Sequence, residues 1–393
     1  MGRRAGRAVM ALPGPTNVPD AVLRAIARPT IDHRGAAFAA VVRSVLADLA
    51  PVFGASGPVV MYPGSGTGGW EAALVNTLSP GDRVAMCETG FFAAGWAQLA
   101  AKLGLVVEVV ATDWHGPADP EAIGRALGAD SEPPIRAVLV VHNETSTGTT
   151  SDVGAIRRAI DAAGHSALLL VDAVSSLGAM PVGHDDWRAD VTITASQKGL
   201  MLPPGLVMLA LSERALAARE DARLPRAYWD WGPMLAAGQT GSLPYTPSTN
   251  LVVGLRTALD LLFEEGLEAV FARHRRLAGA VRGAVSHWGL ETVCVDPAAL
   301  SDSVTAILLP DGVSDSALRA SLLERYGVTL GGGLGRLRER CLRVGHLGDV
   351  DELMIVSVLA ALEMGLAGHV PLEPGGVQAA MARLAREEPL PVA

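Results

Sequence analysis

Two short apolar segments, residues 167–171 and 191–194, restrict the fold of this chain more than any other feature. Both are nearly continuous in apolar or β-branched residues and are flanked by turn-forming residues, which indicates buried parallel strands. Asp172 follows the first segment, and Lys198 lies just beyond the second. Because open parallel sheets bind ligands at the carboxyl ends of their strands, we expect these two side chains to share one pocket.

Lys198 is one of very few lysines in the chain. Of the 32 lysine and arginine residues, only Lys102 and Lys198 are lysines. Lys102 belongs to an amphipathic helical segment, where a solvated charge is expected. Lysine, unlike arginine, can lose its proton and form a Schiff base. A chemical role for Lys198 therefore stands beside the alternative that it is a second ordinary surface lysine.

Asp172 and Lys198 together fit pyridoxal phosphate. An aspartate keeps the pyridine nitrogen protonated, so that the ring withdraws electrons, and a lysine binds the aldehyde as a Schiff base. Asp172 also has a structural alternative as a helix cap, since Ser175 and Ser176 follow it in a turn.

The motifs around this pair resemble those of the class V, fold-type I aminotransferases, specifically the serine-glyoxylate and alanine-glyoxylate group. They extend from residue 13 to about residue 349 and include PGPTNVP, DHRG, HNETSTG, VDAVSSLGAM, SQKGLMLPPGL and YTPSTN. The resemblance implies a pyridoxal phosphate enzyme with an α/β fold. We expect a large domain with a mostly parallel, seven-stranded sheet flanked by helices, and a smaller α+β domain at the C-terminus.

A glycine-rich loop, PGSGTGG at residues 63–69, follows a predicted strand and leads directly into a helix. Free N–H groups and the positive end of a helix dipole bind anions at such a position. We therefore assign Ser65, Gly66 and Thr67 to the cofactor phosphate, as the resemblance also implies. A tight turn without a ligand is the alternative.

The same loop supports a rival function. Gly64, Gly66 and Gly69 fit the pattern GxGxxG, and Glu88 ends the next strand at roughly the 20-residue distance expected of a ribose-binding acid. A nucleotide-dependent oxidoreductase is therefore an alternative, but it leaves Lys198 and Asp172 unexplained. A noncatalytic binding or regulatory protein on the same fold is a further one.

Four more residues are expected near the cofactor. The resemblance implies that Phe92 stacks on the pyridine ring and that the Thr145 hydroxyl bonds the cofactor. A core phenylalanine and an ordinary polar turn are the respective alternatives. Ser196 and Gln197 flank the lysine and are expected to bond the phosphate and the ring oxygen. Ala195 stands where the family usually has glycine, and a positive φ there would strain alanine by about 1 kcal/mol.

The segment 221–250 lacks clear periodicity and is rich in aromatic residues, which is typical of a functional loop or an interface. The resemblance implies that Thr246 reaches the phosphate bound to a neighbouring subunit, in a homodimer or higher oligomer with active sites at the subunit interface. The alternative for Thr246 is the N-cap region of the helix that follows.

Substrate contacts are expected from two parts of the chain. Residues 12–20 form an extended arm that lines the active site in the family, and this places Gly14 near the substrate. Arg343 matches the family arginine that binds the substrate α-carboxylate.

The resemblance points to transamination between a small amino acid and glyoxylate, with L-serine as the expected donor, giving 3-hydroxypyruvate and glycine. Alanine and aspartate are the alternatives, and aspartate would need a further cation, for which Arg34 is the candidate.

Three regions are predicted: an arm over residues 1–20, a large cofactor-binding domain over 21–265 and a small domain over 266–393. The small domain is predicted as strand, strand, helix, strand, helix, at residues 291–295, 304–309, 315–326, 341–344 and 349–366.

Charge and cysteine usage restrict the partners and the compartment. The net charge is −9 and the pI about 5.5, so no basic field attracts nucleic acid or an anionic membrane. The three cysteines lie far apart without CxxC spacing, which argues for a reducing compartment and against a metal site. The N-terminal sequence is a poor signal peptide, no segment approaches a membrane span, and PLPVA at the end is no peroxisomal address. We therefore expect a cytoplasmic protein.

Overall fold

The computed structural model describes residues 8–129 and 132–386. Residues 1–7 of the predicted arm and 387–393 of the predicted small domain lie outside the described residues. The strands are β1 Val9–Ala11, β2 Val59–Gly64, β3 Arg83–Glu88, β4 Val106–Ala111, β5 Ile135–Val141, β6 Asn143–Glu144, β7 Thr149–Thr150, β8 Leu168–Asp172, β9 Val191–Ala195, β10 Gly205–Leu211, β11 Val304–Leu308, β12 Val328–Gly332 and β13 Cys341–Gly345.

The helices of the described residues alternate with these strands along most of the chain. They are α1 Asp20–Ile26, α2 Ala36–Phe53, α3 Gly66–Thr77, α4 Phe91–Lys102, α5 Pro120–Gly128, α6 Val153–Ala162, α7 Glu213–Asp221, α8 Trp231–Thr240, α9 Thr249–Glu265, α10 Leu267–His287, α11 Asp315–Tyr326, α12 Glu352–Leu366 and α13 Gly376–Leu384.

A seven-stranded sheet forms the centre of the larger part of the molecule. Its strand order is β2-β10-β9-β8-β5-β3-β4, and β10 alone runs antiparallel to both of its neighbours. The mostly parallel sheet flanked by helices that the sequence predicted is thus confirmed. In this order β8 and β9 are adjacent and parallel, with Asp172 opposite Ile193, so their carboxyl ends meet at one edge.

Helices cover both faces of this sheet, which explains why its strands have few polar residues. Along β10, Val207 and Leu209 point into the core formed with α3 and α4, whereas Leu206 and Met208 point into the core formed with α2 and α9. This alternation is the two-residue period of a strand, here buried on both sides. The same arrangement continues under α5 and α6 in a third cluster.

A second, four-stranded sheet has the order β1-β12-β13-β11 and packs against α10, α11, α12 and α13. Two details differ from the sequence prediction for this region. Residues 291–295 contribute only an isolated bridge, between Thr292 and Ile307, and β12 was not predicted. β12 begins directly after α11 and ends in two glycines, so it is too short and too interrupted to show a strand pattern.

The N-terminal arm belongs partly to this second sheet. Val9–Ala11 pairs in parallel with β12, and only the residues that follow run along the larger sheet. The arm therefore joins the two sheets.

The aromatic segment before Thr246 is not without regular structure, because α8 lies within it. Asp230 caps this helix by accepting a hydrogen bond from the Gly232 N–H, and Gly241 ends it in the left-handed conformation. Pro233 and two glycines obscured the helical pattern in the sequence.

One helix in the described part of the chain, α2, is long and apolar enough to cross a membrane by length and composition alone. The expectation that no segment approaches such a span is therefore wrong for these 18 residues, whose mean hydropathy is 1.7. The helix buries Phe38, Val42 and Leu49 in the core shared with α9, and its Asp48 forms an ion pair with Arg256 of α9. Packing of a core helix accounts for these apolar side chains.

Candidate active site

Asp172 and Lys198 line one cavity of about 290 Å³ at the carboxyl ends of β8 and β9, as expected. The other lining residues come from the arm, the glycine-rich loop, the start of α4 and the loop after β5. They are Gly14, Pro15, Ser65, Gly66, Thr67, Trp70, Phe92, Val141, Asn143, Thr145, Val174, Ser175, Gln197 and Pro204.

Asp172 is buried and held by two donors. Its Oδ1 accepts a hydrogen bond from the Val174 N–H at 2.7 Å, and its Oδ2 accepts one from the Trp70 indole N–H at 2.6 Å. Burial raises the pKa of Asp172 to about 6, although both hydrogen bonds favour the anion. No helix begins after Asp172 in this described region, so the alternative role as a helix cap does not apply.

Lys198 is also buried, and its Nζ donates a hydrogen bond to the Pro13 carbonyl. Burial and the nearby charge of Arg343 lower the pKa of Lys198 to about 8, while Asp172 and Glu144 act in the opposite direction. A lowered pKa increases the fraction of neutral amine, the form that attacks an aldehyde.

The arm closes over the lysine through backbone contacts. The Thr16 hydroxyl donates to the Lys198 carbonyl at 3.0 Å, and the Thr16 N–H donates to the Gln197 carbonyl at 3.1 Å. Gly14 has φ +113°, and a Cβ there would lie 2.6 Å from Lys198 Nζ. Only glycine therefore fits where the arm passes the lysine.

The N-terminus of α3 faces the cavity through Ser65, Gly66 and Thr67. Ser65 is the N-cap residue, but no side chain caps this end of the helix. A Cβ at Gly66 would lie 2.9 Å from Val174, so glycine is needed for this close approach. Uncapped N–H groups, two hydroxyls and the helix dipole form a suitable cradle for a phosphate.

Phe92, Thr145 and Gln197 line the same cavity, as the sequence predicted for residues near the cofactor. The Gln197 Oε1 is buried and finds no hydrogen-bond partner among the described residues. A buried polar atom without a partner at a cavity wall fits a missing ligand atom. Together with the cradle and the Asp172–Lys198 pair, it shows that these residues fit pyridoxal phosphate.

Three predicted site residues lie elsewhere. The Ser196 hydroxyl donates to the Pro203 carbonyl at 2.8 Å and accepts from the Leu206 N–H at 3.2 Å, so Ser196 holds the turn after Lys198 rather than lining the cavity. Thr246 is exposed, two residues before the N-cap Ser248. Arg343 lies behind the wall, where its guanidinium donates to the carbonyls of Gly332 and Thr145 at 2.8 and 3.1 Å.

Neither the strain considered for Ala195 nor a place in the cavity for Arg34 is found in the structure. Ala195 pairs with Val207 in the β9–β10 ladder, so its backbone is extended and the strain considered for an alanine in the left-handed region does not arise. Arg34 is exposed and is not among the residues lining the cavity.

Glu88 does not face the glycine-rich loop. Its Oε1 accepts hydrogen bonds from the Trp114 indole at 3.2 Å and from Arg336 at 2.9 Å. The acid that the oxidoreductase alternative requires is therefore engaged in an ion pair of its own.

Glu144 is a buried carboxylate that sequence reasoning did not single out. It accepts hydrogen bonds from the Ser146 hydroxyl at 2.6 Å, the Ser146 N–H at 3.0 Å, the Ala93 N–H at 3.1 Å and the Phe92 N–H at 3.4 Å. It thus closes the N-terminus of α4 and fixes the backbone of Phe92. Burial raises the pKa of Glu144, and the hydrogen bonds oppose this effect.

Trp70, Asn143 and Ser175 were also missed as cavity residues. Asn143 Nδ2 donates to the Ser175 hydroxyl at 2.8 Å, and that hydroxyl donates to the Asn143 carbonyl at 2.7 Å. The signal for Asn143 and Ser175 was their position in motifs next to Thr145 and Asp172. The sequence carried no comparable signal for Trp70.

The seven-stranded sheet and the residues at its carboxyl edge define a pyridoxal-phosphate-dependent enzyme of fold type I. The sequence matches the family profile "Aminotransferase class-V" over residues 13–336. The chain therefore belongs to the class V aminotransferases, as its motifs indicated.

Similar proteins support this placement over the full length. The chain is 46% identical to a serine-glyoxylate aminotransferase of Methylorubrum extorquens, covering 99% of this chain and 98% of that protein. It is 43% identical to an L-aspartate-glyoxylate aminotransferase of Paracoccus denitrificans, covering 94% of each. The crystal structure of pyridoxamine-pyruvate aminotransferase from Mesorhizobium loti superposes with a TM-score of 0.90 at 32% identity, over 99% of this chain and 100% of that one.

Proposed function

We propose that this aminotransferase transfers the amino group of L-serine to glyoxylate, giving 3-hydroxypyruvate and glycine. The observation that carries the proposal is the charge of the cavity wall. Among the described residues that line the cavity, Lys198 is the only basic one. Its amine is needed for chemistry, and Arg343, the buried cation behind the wall, is assigned to the α-carboxylate, so no lining cation remains for a second donor carboxylate. This favours a small, uncharged donor side chain, and the relative from Methylorubrum extorquens is named for serine.

Pyridoxal phosphate supplies the aldehyde that accepts an amino group and the ring that stabilises negative charge at the α-carbon. The N-terminus of α3, with Ser65, Gly66 and Thr67, would hold its phosphate. Asp172 would face the ring nitrogen, and Phe92 the ring face. The hydroxyl of Thr145 and the side-chain amide N–H of Gln197 would donate to the ring oxygen.

Lys198 acts on protons at the substrate. With a pKa near 8, its amine both accepts and donates a proton close to neutral pH, as a general base and acid must. The amine would remove the proton from the substrate α-carbon and deliver it to the carbon that carried the aldehyde of the cofactor. The Pro13 carbonyl orients Nζ within the cavity.

We assign the α-carboxylate to Arg343 from the family resemblance, although Arg343 lies behind the cavity wall in this structure. Its guanidinium is buried beside Thr145, where two backbone carbonyls fix its plane. A fixed guanidinium favours a bidentate contact with a carboxylate, which both substrates possess.

Steady-state kinetics test the donor. We expect kcat/KM for serine to exceed those for alanine and aspartate at constant glyoxylate, because specificity is the ratio of these values. A tenfold preference for aspartate would overturn the serine proposal and favour the activity named for the Paracoccus denitrificans relative. Activity with pyruvate but not with glyoxylate would overturn the acceptor. Lys198→Ala, which should lose both the activity and the visible absorption of the bound cofactor, is the control.

We also propose a homodimer with composite active sites. Thr246 is exposed on the single chain, although the family resemblance implies a contact with a phosphate bound to a neighbouring subunit. Beside it, Tyr228 and Tyr245 stack with ring centroids 4.6 Å apart, and Tyr228 is 40% exposed. A partner subunit that covers this aromatic surface would bring Thr246 close to the cofactor bound to that partner. Sedimentation tests the proposal, and an active monomer would contradict it.

We propose a cytoplasmic location, without a nucleic-acid or membrane partner. Cys87, Cys294 and Cys341 are free and buried, as suits a reducing compartment. Fractionation of cells that produce the protein tests the proposal, and recovery in the membrane fraction would contradict it.

A further inference from the structure

The hydrogen bond between Trp70 and Asp172 is the strongest feature of the cavity that the proposed reaction does not use. Trp70 Nε1 lies 2.6 Å from Asp172 Oδ2, and both side chains line the cavity. Trp70 is four residues after Gly66 on α3, so the helix face that opens towards the phosphate cradle also directs the indole at the carboxylate.

A second indole fixes the orientation of the first. Trp96 of α4 stacks on Trp70 with ring centroids 5.8 Å apart and an interplanar angle of 14°. Trp70 is 5% exposed and Trp96 is fully buried. Trp70 therefore has little freedom to turn its N–H away from Asp172.

Packing alone does not explain this hydrogen bond. The Nε1 atoms of Trp96 and Trp231 are also buried, yet neither finds an acceptor among the described residues. This region of the core thus tolerates an indole N–H without a partner. The Trp70 N–H is directed at a carboxylate that faces the cavity.

We propose that Trp70 is a positioning residue for Asp172: its indole N–H holds the carboxylate in one orientation towards the cavity and favours the ionised form. The value of this effect for the reaction rests on the proposed contact between Asp172 and the ring nitrogen of the cofactor.

Each donor to Asp172 affects both its free acceptor positions and its pKa. Val174 occupies a position on Oδ1 and Trp70 one on Oδ2, which leaves two of about four acceptor positions for a ligand. Burial already moves the pKa of Asp172 up to about 6. Loss of a donor to the anion raises it further, towards the pH at which a neutral acid would replace the carboxylate.

The test uses the cofactor-free protein and the matched variants Trp70→Phe and Trp96→Phe. Each removes one indole of the stacked pair, but only Trp70→Phe removes a donor to Asp172. The midpoint of the Asp172 carboxyl titration is measured by ¹³C NMR, with Asp172→Asn for assignment. We expect it to rise by about one pH unit in Trp70→Phe. It should remain at the wild-type value in Trp96→Phe, because phenylalanine keeps an aromatic ring against Trp70.

A second measurement needs no tryptophan variant and decides the question if Trp70→Phe does not fold. The chain has seven tryptophans, and the indole ¹H–¹⁵N signal of one should follow the Asp172 titration in the wild type. Asp172→Asn should abolish that titration. Equal rises in both variants, no rise in Trp70→Phe, or seven indole signals that do not follow Asp172 would each overturn the proposal.

The pH dependence of kcat/KM, measured on the enzyme with bound cofactor, distinguishes a failure of this inference from a failure of the proposed function. We expect the acid limb of the kcat/KM profile to move up in Trp70→Phe and to stay in place in Trp96→Phe. If the midpoint moves and the acid limb does not, the positioning of Asp172 stands and its proposed role towards the ring nitrogen fails.

Discussion

Asp172 and Glu144 are both buried carboxylates, but their hydrogen bonds differ. Asp172 ends β8, and Glu144 lies on β6, just beyond the end of the neighbouring β5. Glu144 accepts four hydrogen bonds, from Ser146, Phe92 and Ala93, at the N-terminus of α4. Asp172 accepts two, from Val174 and Trp70, and lines the cavity. Burial raises the pKa of both groups.

The different numbers of donors indicate a structural role for Glu144 and a role in the reaction for Asp172. Three of the four donors to Glu144 reach Oε1 and one reaches Oε2, so its charge is engaged at the N-terminus of α4. Asp172 retains acceptor positions on the side of the cavity. Burial and charge alone would not have distinguished the two residues, whereas the count of donors does.

The largest expected effect comes from removing the charge that faces the cavity. Asp172→Asn should lower kcat/KM by about 10²–10³-fold, because a neutral amide does not stabilise a protonated ring nitrogen as an anion does. Steady-state kinetics with cofactor in excess measure the effect. A decrease in kcat/KM of less than tenfold would contradict a chemical role for Asp172.

The raised pKa of Asp172 should make the stability of the cofactor-free protein depend on pH. Its pKa is raised from 3.8 to about 6, so the folded state binds the proton more tightly than the unfolded one. The resulting stability is fully present below about pH 4 and is lost as the pH rises through 6.

Urea unfolding of the wild type and Asp172→Asn measures this contribution. The difference in the free energy of unfolding should fall by about 2–3 kcal/mol between pH 4 and pH 7. The charge of Glu144, which is present in both proteins, is one of the causes that raise the pKa of Asp172. A difference that does not vary with pH would contradict the raised pKa.

Glu144→Gln should act mainly on stability. A glutamine carbonyl accepts two hydrogen bonds at most, so about two of the four donors at the start of α4 lose their partner. We expect the free energy of unfolding to fall by about 1–2 kcal/mol, with a smaller loss of activity than in Asp172→Asn. Ser146→Ala, which removes a single donor, is the control and should have a weaker effect on the urea midpoint.

The smallest expected effect concerns Lys198, whose charge both carboxylates favour and Arg343 opposes. Loading of the cofactor-free protein should accelerate with pH up to about 8 and then level off, because only the neutral amine reacts. Arg343→Met should raise the pKa of Lys198 and slow loading at pH 7 by up to about tenfold. Arg336→Met, at an arginine paired with Glu88 on the surface, should leave the rate unchanged.

The sequence predicted those parts of the site that follow from strand position. Asp172 and Lys198 follow apolar strand segments, and parallel strands bring their carboxyl ends to one edge. Gly66 and Thr67 were predicted because a glycine-rich loop before a helix has a local signature. These inferences needed only the neighbouring residues in the chain.

The rest depends on contacts between distant residues. The acceptor of the Trp70 N–H lies 102 positions away, and the partners of Glu144 on α4 lie 51 and 52 positions away, so no local pattern reveals them. The Ser196 hydroxyl donates to the Pro203 carbonyl across the turn, a contact that the sequence did not indicate. α8 and β12 were missed because their glycines and prolines obscured the periodicity.

The arm also links the two sheets mechanically. Residues 12–15, two of them prolines, span the distance between β1 and Thr16, which is bonded to Lys198. A chain of four residues reaches only about 14 Å even when it is fully extended, so β1 and Thr16 lie within that distance of each other. The sheet that receives β1 also carries Arg343 on β13. The arm is thus a short covalent connection between the sheet that carries Arg343 and the backbone beside Lys198.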